Sequence, residues 1–323
     1  VQRAVLHAAL WGAFAASGAT IETNRRAVGV ETGADGLACL RFESGGRSPS
    51  FDLIVDASGA RSSLRAAVTS RPPRAFAYGA VWTSALDRDL SPRALTQRYI
   101  AARAMIGLLP LGRASAEAPS LAAFFWSIKP EGFSAWRAGF DHWRSEVARL
   151  WPALEPMVAG FAGPGDFTLA RYAHFSLRRP FRGPLALIGD AAHATSPQLG
   201  QGANNAMLDA LALADALGRV RDIGQALATF AEFRRRHVRF YQSASALLTP
   251  FFQSDSKLLP LIRDAAFDRL KVVPYLKREM LRTLAGIKTG LFASAAPEAL
   301  ASLGQARLVA PLTGPAGAAN VGP

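Results

Sequence analysis

Cys39 is the only cysteine in the chain, which excludes a disulfide framework and any cysteine-based metal site. It stands in the alternating run LACLRFES and reads as a small strand residue, and so thiol-poor a chain fits a cytoplasmic location. Acidic residues are scarce beside basic ones, 24 against 37, leaving a net charge of +13. Such an excess suits nucleic acid, anionic lipid or an anionic cofactor. No nucleic-acid motif accompanies it, so no nucleic-acid partner is expected. The densest basic run (Arg234, Arg235, Arg236, Arg239) falls on one predicted helix and reads as a solvated or phosphate-facing surface. Also missing is any unbroken run of about 18 apolar residues, so no membrane-spanning helix is expected. The opening VQRAVLHAALWGAFAASGA is interrupted by His7 and Trp11 and reads as an amphipathic helix, not a signal peptide. Half of the 323 residues are hydrophobic and 19% are charged, which excludes wholesale disorder and allows one large or two moderate domains.

Residues 2–17 place Val5, Ala9, Leu10, Ala13 and Phe14 on one helical face, and Gly18 ends that helix. Three β-like runs follow (ATIET, RAVGVET and LACLRFES), then the apolar strand FDLIVDASG and a helical start, ARSSLRAAV. From residue 71 the texture becomes antiparallel β: FAYGAVWTSAL, QRYIAARAMIGLLPLG and SLAAFFWSIKP, then a Trp- and Arg-rich helix and a returning strand, DFTLARYAHFSLRRP. PLALI, residues 184–188, reads as a buried parallel strand, with a helix expected from Ala203 to Leu217. The remainder to about 292 is amphipathic helix with breaks expected at Pro250, Pro260 and Pro274, and the last thirty residues read as a loose tail.

The stretch GDAAHATSPQLGQG, residues 189–202, carries the chemistry. Gly189 and Asp190 follow the strand PLALI, and a carboxylate at the carboxyl end of a parallel strand stands where open α/β sheets place ligands. With no cation beside it in sequence, Asp190 suits the hydroxyls of a sugar or polyol; the plainer alternative makes it a helix cap. Pro197 stiffens the loop, and Gly200, Gln201 and Gly202 lead into ANNAMLDALALADAL, where glycines let backbone amides approach a flat or anionic ligand at a helix N-terminus.

GDAAHATSPQLGQGANNAMLDA closely resembles the second flavin-binding motif of the FAD-dependent aromatic hydroxylases, the single-component flavoprotein monooxygenases. The resemblance implies that Asp190 binds the FAD ribityl chain and that Pro197 and Gly200 line the isoalloxazine ring. It also implies that the amides of Gly202, Ala203 and Asn204 face the N1–C2=O edge of the ring. His193 is structural in that motif. FDLIVDASGARSSLR resembles the family's strand-plus-Asp-Gly motif, with Gly59, Arg61, Ser62 and Arg65 on matching places. The family's usual aspartate aligns with Ser58, and Asp56 stands two residues earlier, so a pyridine-nucleotide role does not carry over to it. Asp56 is expected to serve the cofactor domain. Arg65 is expected either to meet phosphate or to stand on the surface of a first helical turn. The opening QRAVLHAAL resembles the segment whose arginine, here Arg3, lies near the cofactor.

The implied fold is α/β. A Rossmann-like FAD-binding domain, incomplete, takes residues 1–70 and 181–220, an inserted mostly antiparallel substrate sheet takes 71–180, and a helical region takes 221–323. No G-x-G-x-x-G follows a strand, and Val1 stands inside a helical pattern. An N-terminal segment carrying the pyrophosphate loop is therefore expected to be missing, with weak FAD binding as the consequence. The implied activity uses NAD(P)H and O₂ to hydroxylate an aromatic or lipophilic small molecule. Reduction of isoprenoid double bonds, flavin-dependent halogenation and a non-catalytic remnant stay open as alternatives. Phe76, Tyr78, Trp82, Phe124, Phe125 and Trp126 suit an apolar substrate pocket, although strand cores use the same residues. Tyr99, Tyr172 and His174 are available as bases and none is assigned. The basic, amphipathic C-terminal helices either pack on the flavin domain or lie against an anionic membrane.

Overall fold

Alternating apolar positions between residues 79 and 128 build the largest sheet. The computed structural model describes residues 3–87, 94–113, 117–270 and 272–296. Helix α1 (Arg3–Ala16) precedes the antiparallel hairpin β1 (Ala27–Thr32) and β2 (Ala38–Phe42), and then the short strand β3 (Ile54–Asp56). After β4 (Arg74–Ala75) come β5 (Gly79–Leu86), β6 (Thr96–Ile100), β7 (Ala104–Gly112) and β8 (Leu121–Ile128). With β9 (Thr168–Ala170) the last four form an antiparallel sheet ordered β6-β7-β8-β5-β9.

Helices α2 (Phe133–Ala138), α3 (Phe140–Leu150) and α4 (Glu155–Ala159) close one face of that sheet. Val81, Ile106, Phe124 and Trp126 belong to this layer with Trp136, Phe140, Trp143 and Phe167. Its rings meet edge to face, Trp143 lying 5.9 Å from Phe124 and 5.4 Å from Phe167. The six aromatics expected around a substrate therefore divide. Phe124 and Trp126 are core, whereas Trp82 and Phe125 pair across β5 and β8 at the alternate positions, which take the other face. There the Phe125 ring fills the space over Gly107, where any Cβ would fall 1.9 Å from it. Phe76 meets His174 edge-on at 6.2 Å, and the Tyr78 hydroxyl donates to Asp255 Oδ1 at 2.8 Å.

β10 (Ala173–His174) pairs with β4, so the chain leaves the large sheet beside the segment through which it entered. β11 (Phe181–Arg182) then turns back onto β12 (Leu185–Leu187), and β12 pairs parallel with β3, Leu187 opposite Asp56. That pairing sets FDLIVDASG and PLALIGDAAH side by side, their loops leaving adjacent carboxyl ends. A single turn, α5 (Asp190–His193), leads to the long helices α6 (Gly202–Arg219) and α7 (Ile223–Phe252), which pack through Ala212, Leu213, Ala216, Leu227 and Phe230. α8 (Leu259–Leu270) and α9 (Pro274–Leu284) follow.

Two expectations need correction. ATIET forms no strand; residues 19–23 are irregular and exposed, with no partner strand to order them. Pro250 does not end α7, which runs two residues past it to Phe252. The apolar face of α1 is not buried, Val5, Leu10 and Phe14 being 45%, 54% and 42% exposed. α8 and α9 likewise leave Leu261, Leu281 and Leu284 exposed. Among the described residues no helix is long and apolar enough to cross a membrane. The C-terminal tail read as loose lies, from residue 297, outside the described residues.

Candidate functional site

The first loop folds around its own acid. Asp56 is 3% exposed; its Oδ1 accepts hydrogen bonds from the Ser58 N–H at 2.9 Å and the Ser58 hydroxyl at 2.6 Å, and its Oδ2 accepts from the Ser62 hydroxyl. Asp56 therefore shapes this turn and does not open onto a ligand. Arg65 is neither a surface residue nor free for phosphate. It is 5% exposed, its Nε donates to Ala191 O at 2.8 Å, and its Nη2 donates to Gly59 O at 3.1 Å and Asp190 O at 3.3 Å. The guanidinium lies over Phe175, 4.7 Å from the ring centre. Burial pulls its pKa below the ordinary arginine value, opposed by the charges of Asp56 and Asp190. Arg65 thus staples the two loops together. Arg3 opens α1, and its side chain lies outside the described residues.

The second loop stays open. Gly189 leaves β12 at φ +58°, where a Cβ would also crowd Ala206 Cβ at 3.0 Å. Asp190 caps neither helix: the N-cap of α5 is Gly189 and that of α6 is Gln201. Its side chain is exposed, and its carboxylate has no hydrogen-bond partner among the described residues. A Cβ added to Gly202 would lie 3.9 Å from Asp190 Oδ1, so the acid and the start of α6 share one opening. Between them Pro197 starts a 3₁₀ turn that ends at Gly200 in the left-handed region. The Gln201 side chain does not cap α6. It donates instead to Leu284 O at 2.8 Å and accepts from Asn204 Nδ2 at 2.9 Å. The N–H groups of Gly202, Ala203 and Asn204 are left without a side-chain acceptor at the positive end of an 18-residue helix. An exposed acceptor beside uncapped donors matches a ligand that carries hydroxyls at one end and an electron-rich edge at the other. The site fits FAD on that ground.

Behind the loop lies a network that sequence reasoning missed. Asp209, 1% exposed, accepts from the Gly189 N–H at 2.8 Å, His193 Nε2 at 2.5 Å and Arg234 Nε at 2.7 Å. Burial alone would raise its pKa, but His193 and Arg234 outweigh that and hold it below the usual carboxylate value. Arg234 is 4% exposed and is an internal ion-pair partner, not the solvated or phosphate-facing cation expected. The one available signal was position: Asp209 follows Asn205 by one turn on the buried stripe that continues through Ala212 and Leu213. Further along α7, Gln242 Nε2 donates to His193 O at 2.6 Å, and the Thr249 and Ser196 hydroxyls share a hydrogen bond of 2.6 Å.

The network continues to the far side of α6. Arg234 Nη1 donates to His237 Nδ1 at 2.7 Å, and His237 Nε2–H donates to Gly286 O at 2.7 Å, an arrangement that needs a neutral imidazole. Burial first, and the Arg234 charge second, push the His237 pKa down to about 4. The unfolded chain protonates this residue near pH 6.5 and the folded chain does not, so its effect on stability is absent above that value and grows as pH falls toward 4. Between pH 7 and 5, His237 is expected to cost about 2 kcal/mol of stability. Urea unfolding at the two pH values checks this, because His237→Gln should show a shallower acid loss than the parent.

Gly286 seats the segment after α9 on the start of α6. It sits at φ +80°, and a Cβ there would lie 2.1 Å from Asn204 Nδ2 and 2.6 Å from Gln201 Oε1. Gly286→Ala is expected to cost about 1–3 kcal/mol and to free this segment. A lowered urea midpoint together with faster proteolysis between residues 283 and 290 is the result to look for.

None of the available bases gains that role from its surroundings. Tyr99 meets the Phe252 ring at a tilt, 5.3 Å between centres, donates to Gln97 Oε1 at 3.0 Å, and has its pKa pushed up to about 12 by burial. Burial, then Arg74, lowers the pKa of His174. Tyr172 lies between β9 and β10.

Known proteins resemble this chain in sequence and in fold. The chain is 29% identical over 227 residues to the FAD-dependent urate hydroxylase of Klebsiella pneumoniae, covering 68% of this chain and 56% of the relative. It is 30% identical over 253 residues to the 3-amino-4-hydroxybenzoate 2-monooxygenase PtnB3 of Streptomyces platensis, covering 74% and 60%. Its fold matches Klebsiella pneumoniae HpxO complexed with FAD and uric acid at a TM-score of 0.72 and 22% identity, over 91% of this chain and 73% of that one. Pseudomonas aeruginosa PqsL, a probable FAD-dependent monooxygenase, matches at 0.60 and 20% identity, over 74% and 66%. The chain spans a little over half the length of the urate hydroxylases it resembles. A family model described as an FAD binding domain matches residues 2–240, and the chain belongs to that family.

Proposed function

We propose that this chain serves an FAD-dependent monooxygenase that uses NAD(P)H and O₂ to hydroxylate an aromatic or lipophilic small molecule. The observation that carries this reading is the shared opening of the Asp190 carboxylate and the uncapped start of α6. Bound FAD supplies hydride acceptance from NAD(P)H and activation of O₂. The protein supplies placement. Asp190 would accept hydrogen bonds from the ribityl hydroxyls, and the amides of Gly202, Ala203 and Asn204 would stabilise negative charge on the N1–C2=O edge of the ring. Pro197 and Gly200 would give the ring a flat, side-chain-poor wall. The sheet face bearing Trp82 and Phe125 would exclude water from an apolar substrate. The names of the relatives support small, electron-rich aromatic and heteroaromatic substrates.

The test is NADPH-dependent oxygen uptake by the FAD-loaded protein, with product analysis on a panel of hydroxyaromatics, purines and lipophilic phenols. Hydroxylated product formed with oxygen consumption is expected. Saturation of an isoprenoid double bond without oxygen uptake would favour the reductase reading instead.

A further inference from the structure

A second concavity, of about 660 Å³, lies between the strand and loop around His174 and the face of α7 that carries the buried residues Phe230, Arg234, Val238 and Gln242. It shares no residue with the cradle formed by Asp190 and Pro197 to Asn204. Its volume falls within the range of small-molecule sites. Arg71, Arg178, Arg235 and Arg239 line it, and all four are exposed. Arg235 pairs with Glu232 at 2.7 Å, whereas Arg71, Arg178 and Arg239 have no ion pair among the described residues. The one acid lining the groove among those residues is Asp209, already matched by Arg234 and His193. Three guanidinium groups without an ion pair gather around one concavity, and their planar donor forks suit phosphate oxygens.

The floor adds a second requirement. Gln242 is 6% exposed and spends its Nε2 on His193 O, while its Oε1 is buried without a partner; His174 Nδ1 is buried without one too. Both residues line the groove. A buried acceptor left unmatched costs stability, so the ligand that completes this site carries hydroxyl or amino donors as well as phosphate.

We propose that this groove binds a phosphate-bearing small molecule of the nucleotide or sugar-phosphate class, with its phosphates on Arg71, Arg178 and Arg239 and a hydroxyl or amino group on Gln242. The reading is independent of the flavin site. It also gives a role to Arg239, which, like Arg236 on the same helix, has no ion pair among the described residues but, unlike Arg236, lines the groove.

Calorimetric titration of the full chain with inorganic pyrophosphate and with ADP tests it. Saturable binding of both is expected, weakened about tenfold or more in Arg178→Ala and in Arg239→Ala. Arg236→Ala serves as control, because Arg236 is exposed on the same helix but lies outside the groove; binding within about twofold of the parent is expected. Gln242→Leu should weaken ADP severalfold and leave pyrophosphate unchanged, while the exposed arginine variants keep the test decisive if that change disturbs folding. Absence of saturable binding, or equal loss in Arg236→Ala, would overturn the proposal. So would capture of phosphatidic acid vesicles that depends on Arg178 while ADP binding does not, since that outcome assigns the groove to a lipid headgroup.

Discussion

Replacing Asp209 with asparagine is expected to destabilise the chain by about 3–5 kcal/mol, a large share of what an ordinary domain possesses. Three donors converge on this carboxylate: the Gly189 N–H, His193 Nε2 and Arg234 Nε. Asparagine removes the charge and turns an amide N–H₂ toward at least one of those donors. Arg234, 4% exposed, would then be a buried cation without its counter-charge. The contrast with the surface is instructive. Arg219 and Asp215 form an ion pair of similar length, 2.8 Å, with the arginine side chain 66% exposed. Asp215→Asn there is expected to cost under about 0.5 kcal/mol. Burial, not distance, separates the two cases. Urea unfolding of both variants checks the difference, and a double change of Asp209→Asn with Arg234→Gln should cost less than the sum of the single changes. A loss below 1 kcal/mol in Asp209→Asn would mean that the pair does not anchor the loop.

The consequence reaches the loop that follows β12. Gly189 precedes Asp190 directly, and its N–H is held by Asp209, so the carboxylate that faces the opening is positioned by the one that is buried. Arg65 fixes the same stretch from the other side through the carbonyls of Asp190 and Ala191. The acid at the surface is therefore free to meet a ligand because its backbone is held by a buried cation, Arg65, and a buried acid, Asp209.

Local pattern carried much of this in the sequence, and long-range pairing carried the rest. PLALI with the glycine-rich loop announced a parallel strand ending at a site, and β12 pairs with β3 as that reading requires. The alternating runs from 76 to 128 gave the antiparallel sheet. The fates of Arg65 and Arg234 were hidden. A polar residue on a helix reads as solvated unless its partner is known, and the partners stand far away in sequence, at Ala191 for one and Asp209 for the other. The way Asp56 is used was hidden for a related reason: the serines at 58 and 62 that occupy its oxygens fold back on it only once the turn is formed. Trp136 and Trp143 were visible as an aromatic helix, yet only the register of β8 shows that Phe124 and Trp126 meet them while Phe125 faces away.

Asp190→Ala is expected to weaken FAD binding about 10- to 100-fold, the equivalent of one or two charge-assisted hydrogen bonds. Its effect on folding should be small, within about 0.5 kcal/mol, because the side chain is exposed and its carboxylate has no partner among the described residues. That combination, affinity lost with stability kept, is what separates a ligand-binding acid from a helix cap or a loop anchor. The decisive measurement is a fluorescence titration of FAD into the parent chain and into Asp190→Ala, with urea midpoints recorded on the same samples. A raised dissociation constant at an unchanged midpoint is the predicted result; equal affinities, or a loss of affinity fully explained by unfolding, would contradict the account.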